Sequence, residues 1–166
     1  MTPQALVELL SKGTNLLLAL SPKKQTLINS LASEFSLILP PPGTPLISHF
    51  PERDTPATVV PVTPSANPIL SSDLPPVWFS GVPFAHSPNP LLFPILRAPA
   101  ESFAADTTMD AGAEAVFESA DKGGEGLWAG SQMALVAGFQ TTNGARATFV
   151  GGVEAFNDRV HSEGDG

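Results

Sequence analysis

Cysteine is absent from the 166-residue chain, which excludes disulfides, cysteine-ligated zinc and thiol catalysis. The compartment stays open, because an oxidising lumen does not oblige a protein to form disulfides. Basic residues are scarce: eight Lys and Arg against sixteen Asp and Glu leave a formal charge of −8. That balance opposes the phosphate neutralisation behind most nucleic-acid affinity, so nucleic acid is excluded as a partner. Long apolar runs are also missing. The longest obvious one, Leu16 to Leu20, falls far short of the ~20 residues of a bilayer-crossing helix, so this segment makes no direct membrane span. Met1-Thr2-Pro3-Gln4 supplies no basic region for a secretory signal, and Glu8 interrupts the place of its apolar core. No Asn-X-Ser/Thr acceptor occurs; Asn67 and Asn89 are both followed by proline. No internal repeat is visible.

What the chain does have is proline and a divided apolar pattern. Hydrophobic residues make up 42%, enough for a core, and sixteen of the 18 prolines lie between Pro40 and Pro99. Three parts and a tail follow. Residues 1–39 read as helix, strand, helix, strand. Thr2 caps a helix with Pro3 in its first turn, Leu6, Val7 and Leu10 on one face, and Lys12-Gly13 at its end. Asn15 to Leu20 is a continuous apolar strand, Ser21-Pro22 opens a second helix with Leu27, Leu31 and Phe35 at four-residue spacing, and Leu37-Ile38-Leu39 closes the part. A strand, a crossover helix and a parallel strand form the unit of a doubly wound sheet.

Residues 40–126 form a loop-rich insertion. Its proline-rich half excludes long helices and central strands, leaving short extended pieces at Thr58 to Val60 and Val77 to Phe79. Its acidic half carries Asp106, Asp110, Glu114, Glu118 and Asp121 against a single Lys122. In a helix four of these would make a like-charged stripe, so a solvated loop is expected. Residues 127–160 read as strand, turn, strand and helix: apolar Ser131 to Phe139, the turn Thr141-Thr142-Asn143-Gly144, a strand over Ala145 to Val150, then a helix from Val153. Residues 161–166 are a disordered tail. The outer parts, each of about 40 residues, are too small to fold separately and must pack together. The expected fold is therefore α/β: a partial doubly wound, mostly parallel sheet flanked by helices, with the long Pro-rich and acidic insertion. Because Met1 opens directly on a helix cap, the chain reads as a segment of something longer.

No constellation of catalytic groups emerges. Gly124 to Gly130 spells G-x-G-x-x-x-G, but an acidic loop precedes it and a strand follows, the wrong context for a dinucleotide site. His49, His86 and His161 have no metal-ligand spacing, and Gly130-Ser131 is half of a nucleophile elbow. The carboxylates from Asp106 to Glu125 lack the burial that would tune them, and Trp78, Phe79, Phe84 and His86 read as core aromatics ahead of a sugar platform. No catalytic, cofactor-binding or metal-ligating residue is assigned.

Separated stretches nonetheless resemble one family. Gly130 to Gln140, Asn143-Gly144-Ala145-Arg146, Phe149-Val150-Gly151-Gly152 and Phe156-Asn157-Asp158 resemble the luminal region of the 48 kDa subunit of oligosaccharyltransferase. So do Gly13 to Leu17, Glu34-Phe35 through Leu39-Pro40-Pro41 with His49-Phe50, and Pro94 to Ala98. Thr141-Thr142 stand where the family turn has Ala-Arg, and Gly144 where it has a second Asn. The resemblance implies a non-catalytic subunit of the complex that transfers a preassembled oligosaccharide from dolichyl diphosphate to Asn in Asn-X-Ser/Thr, needed for assembly and stability. The catalytic residues would belong to another subunit. It also implies the luminal side of the endoplasmic reticulum membrane, other oligosaccharyltransferase subunits as partners, and no cofactor. This chain would be an interior fragment, with a signal peptide and first strands upstream and a β-rich region and transmembrane helix downstream. The alternative is a soluble α/β domain binding a small anionic ligand at the Leu20-Ser21 or Gly151-Gly152 turns, where helix N-termini collect positive potential.

Overall fold

The computed structural model describes residues 2–21, 26–52, 54–71, 73–105 and 128–156. Helix α1 (Pro3–Ser11) begins as its sequence dictates: the Ala5 amide donates to Thr2 Oγ1, and Pro3 occupies the first turn, where its missing N–H is no loss. Leu6 and Leu10 are buried whereas Val7 is exposed, so the packed face is narrower than the apolar pattern. Gly13, at φ +86°, ends the helix. Strand β1 (Leu16–Ala19) follows, then α2 (Thr26–Glu34), whose end brings Leu31, Ala32 and Phe35 into the core. The strands β2 (Leu37–Ile38), β3 (Leu46–Ser48), β4 (Val60–Val62), β5 (Val77–Phe79), β6 (Ala85–His86), β7 (Leu92–Arg97) and β8 (Ser102–Ala104) come next. A 3-10 turn (Gly130–Gln132), β9 (Ala134–Gln140), β10 (Arg146–Val150) and a second 3-10 turn (Val153–Phe156) complete the described chain.

The main sheet has the order β1-β10-β9-β7, and only its β1–β10 pair is parallel. The doubly wound, mostly parallel, helix-flanked sheet predicted from sequence is thereby overturned: strands dominate and their pairing is mostly antiparallel. The physical cause lies after α2. Ser36 takes up φ +62°, and β2 runs antiparallel to β6 in a ribbon of its own, so α2 crosses over to no parallel partner of β1. The neighbour of β1 comes instead from the C-terminal hairpin, whose short turn joins β9 and β10 and makes that pair antiparallel.

The described part of the proline-rich stretch carries short strands between its loops. It forms the β3–β8 and β4–β5 ribbons and contributes β7 to the main sheet. Pro94 sits within β7, which is tolerated because β7 is an edge strand, and its register against β9 shifts beside Pro94 and Leu96. Two cores result. One joins α1 and α2 to the main sheet through Leu10, Phe35, Ala147 and Phe149, with the Phe35 ring 5.1 Å from Phe139 and 5.0 Å from Phe149. The other gathers the ribbons around Leu46, Val60, Val62, Phe79, Trp128 and Leu135. Strand β9 serves both, with Ala134 and Ala137 in the first and Leu135 and Met133 beside it in the second, which is why its sequence is apolar without clean alternation.

The halves meet at a crossing that only glycine permits. A Cβ on Gly151 would overlap the Val82 carbonyl, and one on Gly152 the Ser80 carbonyl. In that space the Val82 amide donates to Gly151 O (2.8 Å) and the Gly151 amide to Leu135 O (2.9 Å). The helix expected from Val153 is a single 3-10 turn over the described residues. The acidic residues 106–125 and the tail 161–166 lie outside the described residues.

Candidate functional site

The residues weighed from sequence do not converge. His49 stacks on Phe103, with centroids 5.7 Å apart and planes 12° from parallel, while His86 is exposed on β6 opposite Leu37; His161 lies outside the described residues. Among the described residues no three of His, Asp and Glu are grouped to hold a metal ion. The aromatic set divides: Phe84 belongs to the helix-side core, Phe79 to the ribbon core, and Trp78 points outward at 57% exposure. Gly130 opens a three-residue 3-10 turn that leads into β9, so no helix follows the glycines to face a pyrophosphate, and residues 124–127 lie outside the described chain.

The Gly151-Gly152 turn is closed to an anion. The Val82 and Ser80 carbonyls and the Phe79 ring fill the space beside it, the Gly151 amide donates to Leu135 O, and the Val153 amide donates to Leu20 O (3.0 Å). At the other expected turn the Leu20 amide is taken by Val150 O (2.9 Å).

Residues far apart in sequence, but carrying the family resemblance, do come together. Asn143 Nδ2 donates to the carbonyls of Leu10 (3.1 Å) and Ser11 (3.0 Å) at the C-terminal end of α1, where the Leu10 carbonyl also accepts from the Gly13 amide (2.9 Å), and Asn143 Oδ1 accepts from the Ala145 amide (3.0 Å) within its own turn. Asn15 Oδ1 accepts from the Arg146 amide (2.9 Å), setting the start of the β1–β10 pair. Ser36 O accepts from the Ser87 amide, and Ser36 Oγ from Asn89 Nδ2, each at 3.0 Å. These side chains hold backbone to backbone. They are joints of a scaffold, with no reacting group among them.

One concave region escaped the sequence reading. A groove of about 440 Å³ lies over β7, β9 and β10, walled by Ile69, Phe93 and Ile95, with Gly138, Thr148 and Arg146 along its length. The alternation of Arg146 and Thr148 against buried Ala147 and Phe149 was readable, but nothing local in the sequence places Phe93 two strands away. Among the described residues, no helix is long and apolar enough to cross a membrane.

Comparison with known proteins adds the decisive observation. No curated protein matches the chain. The family model described as OST48, N-terminal domain matches residues 1–164, nearly the whole sequence. The scaffold of Asn15, Asn143 and Gly151-Gly152 thus belongs to a known lineage: the chain is a member of the OST48 N-terminal domain family, the family of an oligosaccharyltransferase subunit.

Proposed function

We propose that the chain acts as a non-catalytic part of the oligosaccharyltransferase complex on the luminal side of the endoplasmic reticulum membrane. There it would be held by other subunits and contribute to assembly and stability, while glycosyl transfer to Asn-X-Ser/Thr is carried out on another subunit. The observation that carries this reading is the family match across residues 1–164. The structural duties of the residues bearing the resemblance support it: Asn15 and Asn143 are engaged with backbone groups.

The test is affinity purification of the tagged protein from its own membranes after mild detergent extraction, combined with its depletion. The catalytic subunit should copurify, and depletion should lower both the amount of intact complex and the occupancy of acceptor sites on a reporter glycoprotein. Purification free of that subunit, or unchanged occupancy after depletion, would overturn the proposal.

A further inference from the structure

The groove on the main sheet combines features that single out a class of ligand. Strand register sets Leu17, Thr148, Gly138 and Phe93 in one cross-strand row, with Arg146 opposite Gln140 in the next. At 138 a side chain would run into the Phe93 ring and Ile95 Cδ1, so glycine lets the ring lie across the sheet. Ile69 approaches from the loop at 67–70, which is tied to β7 by Asn67 Nδ2 donating to Ile95 O (2.8 Å) and is internally braced by Asn67 Oδ1 accepting from the Ile69 and Leu70 amides. The apolar wall is therefore fixed by polar contacts behind it.

Among the described residues, the charge lining this groove is of one sign. Among the described residues, Arg146 is its only ionisable lining residue, no Asp or Glu lines it, and the ion pair is Glu8 with Lys12 on α1. The other arginine of the main sheet, Arg97, is engaged through Nη1 with Ser131 O (2.9 Å). In a chain of net charge −8, an arginine with no carboxylate among the described residues of its groove, set beside an aromatic and aliphatic wall, is complementary to an anion attached to an apolar body.

We infer that this groove binds a small amphiphilic anion, its apolar body against Ile69, Phe93 and Ile95 and its anionic group at Arg146. A volume of about 440 Å³ is in the range of small-molecule sites and suits a body of two or three rings. The inference is independent of the role in the glycosylation complex and differs from the anion site expected at the glycine turn, which backbone occupies.

The experiment titrates the full chain with 8-anilinonaphthalene-1-sulfonate and, in parallel, with N-phenyl-1-naphthylamine, a neutral probe of similar size. Wild-type protein should bind the sulfonate saturably at one site. Arg146→Gln should weaken the sulfonate about fivefold, the scale of one exposed charge pair, and leave the neutral probe unchanged. Ile69→Ser, on an exposed loop, should weaken both probes. Non-saturating uptake of the sulfonate, equal affinity in wild type and Arg146→Gln, or equal weakening of both probes by Arg146→Gln would overturn the assignment.

Discussion

The helix-bearing half and the proline-rich half reach compactness by different routes. In the first, α1 and α2 lay Leu6, Leu10, Leu31 and Phe35 over a sheet whose parallel β1–β10 pair joins residues about 130 positions apart. In the second, ribbons of two or three residues per strand close around Val60, Val62, Phe79 and Trp128, with prolines between them. Proline stiffens the connections and removes donors, so within itself the second half makes only short pairs, and its one longer strand, β7, joins the main sheet at an edge. The contrast teaches that a stretch poor in regular structure still contributes a core when its apolar residues find a common centre.

Because Trp78 and Trp128 both lie in the ribbon half and α1 and α2 in the other, tryptophan fluorescence and helical circular dichroism report the two halves separately. The largest effect is expected at their junction. Gly151→Ala forces a methyl group into the Val82 carbonyl and should cost more than about 4 kcal/mol, splitting the coincident urea transitions of the two probes. If the transitions stay coincident with an unchanged midpoint, the crossing does not join the halves.

Core truncations come next and compare the halves directly. Phe149→Ala removes a ring packed on Phe35 and should cost about 3–5 kcal/mol, whereas Val62→Ala in the ribbon core deletes two methyl groups and should cost about 2 kcal/mol, both read from urea midpoints. Equal losses would mean that the ribbons are packed as tightly as the sheet. Asn143→Ala removes the side-chain donor of the Leu10 and Ser11 carbonyls, of which Leu10 keeps the Gly13 amide, and should cost about 1–2 kcal/mol, with faster hydrogen exchange at the end of α1. Trp78→Ser, at an exposed site, should change stability by less than about 0.5 kcal/mol and would show that the outer face of the β4–β5 ribbon is no part of the folding core.

Local chemistry made several elements legible. Thr2-Pro3 and Lys12-Gly13 mark the ends of α1, the Leu16 to Leu20 run marks β1, and Asn143-Gly144 marks the turn between β9 and β10. Topology was not legible, since a run such as Leu37-Ile38 carries no record of its partner: it reads equally as a parallel neighbour of β1 and as the antiparallel mate of Ala85-His86. The exclusion of central strands from the proline-rich stretch holds at Pro94, which lies in an edge strand, but that β7 would join the main sheet at its edge depends on the whole sheet. The groove stayed hidden because its walls come from residues 69, 93 and 95 and its charge from residue 146.

By itself, the amino-acid sequence determined the caps, turns and apolar strands, the exclusion of thiol chemistry and of a bilayer-length helix in this segment, and the ordered motifs that mark the family. Tertiary structure alone decided which strands pair and in which direction, that the glycine turn is filled by backbone, and that Arg146 shares a groove with Phe93. The reason is the range of the forces. Capping and turn preferences act within a few residues, whereas pairing and burial depend on which distant surfaces meet once chain entropy has been overcome.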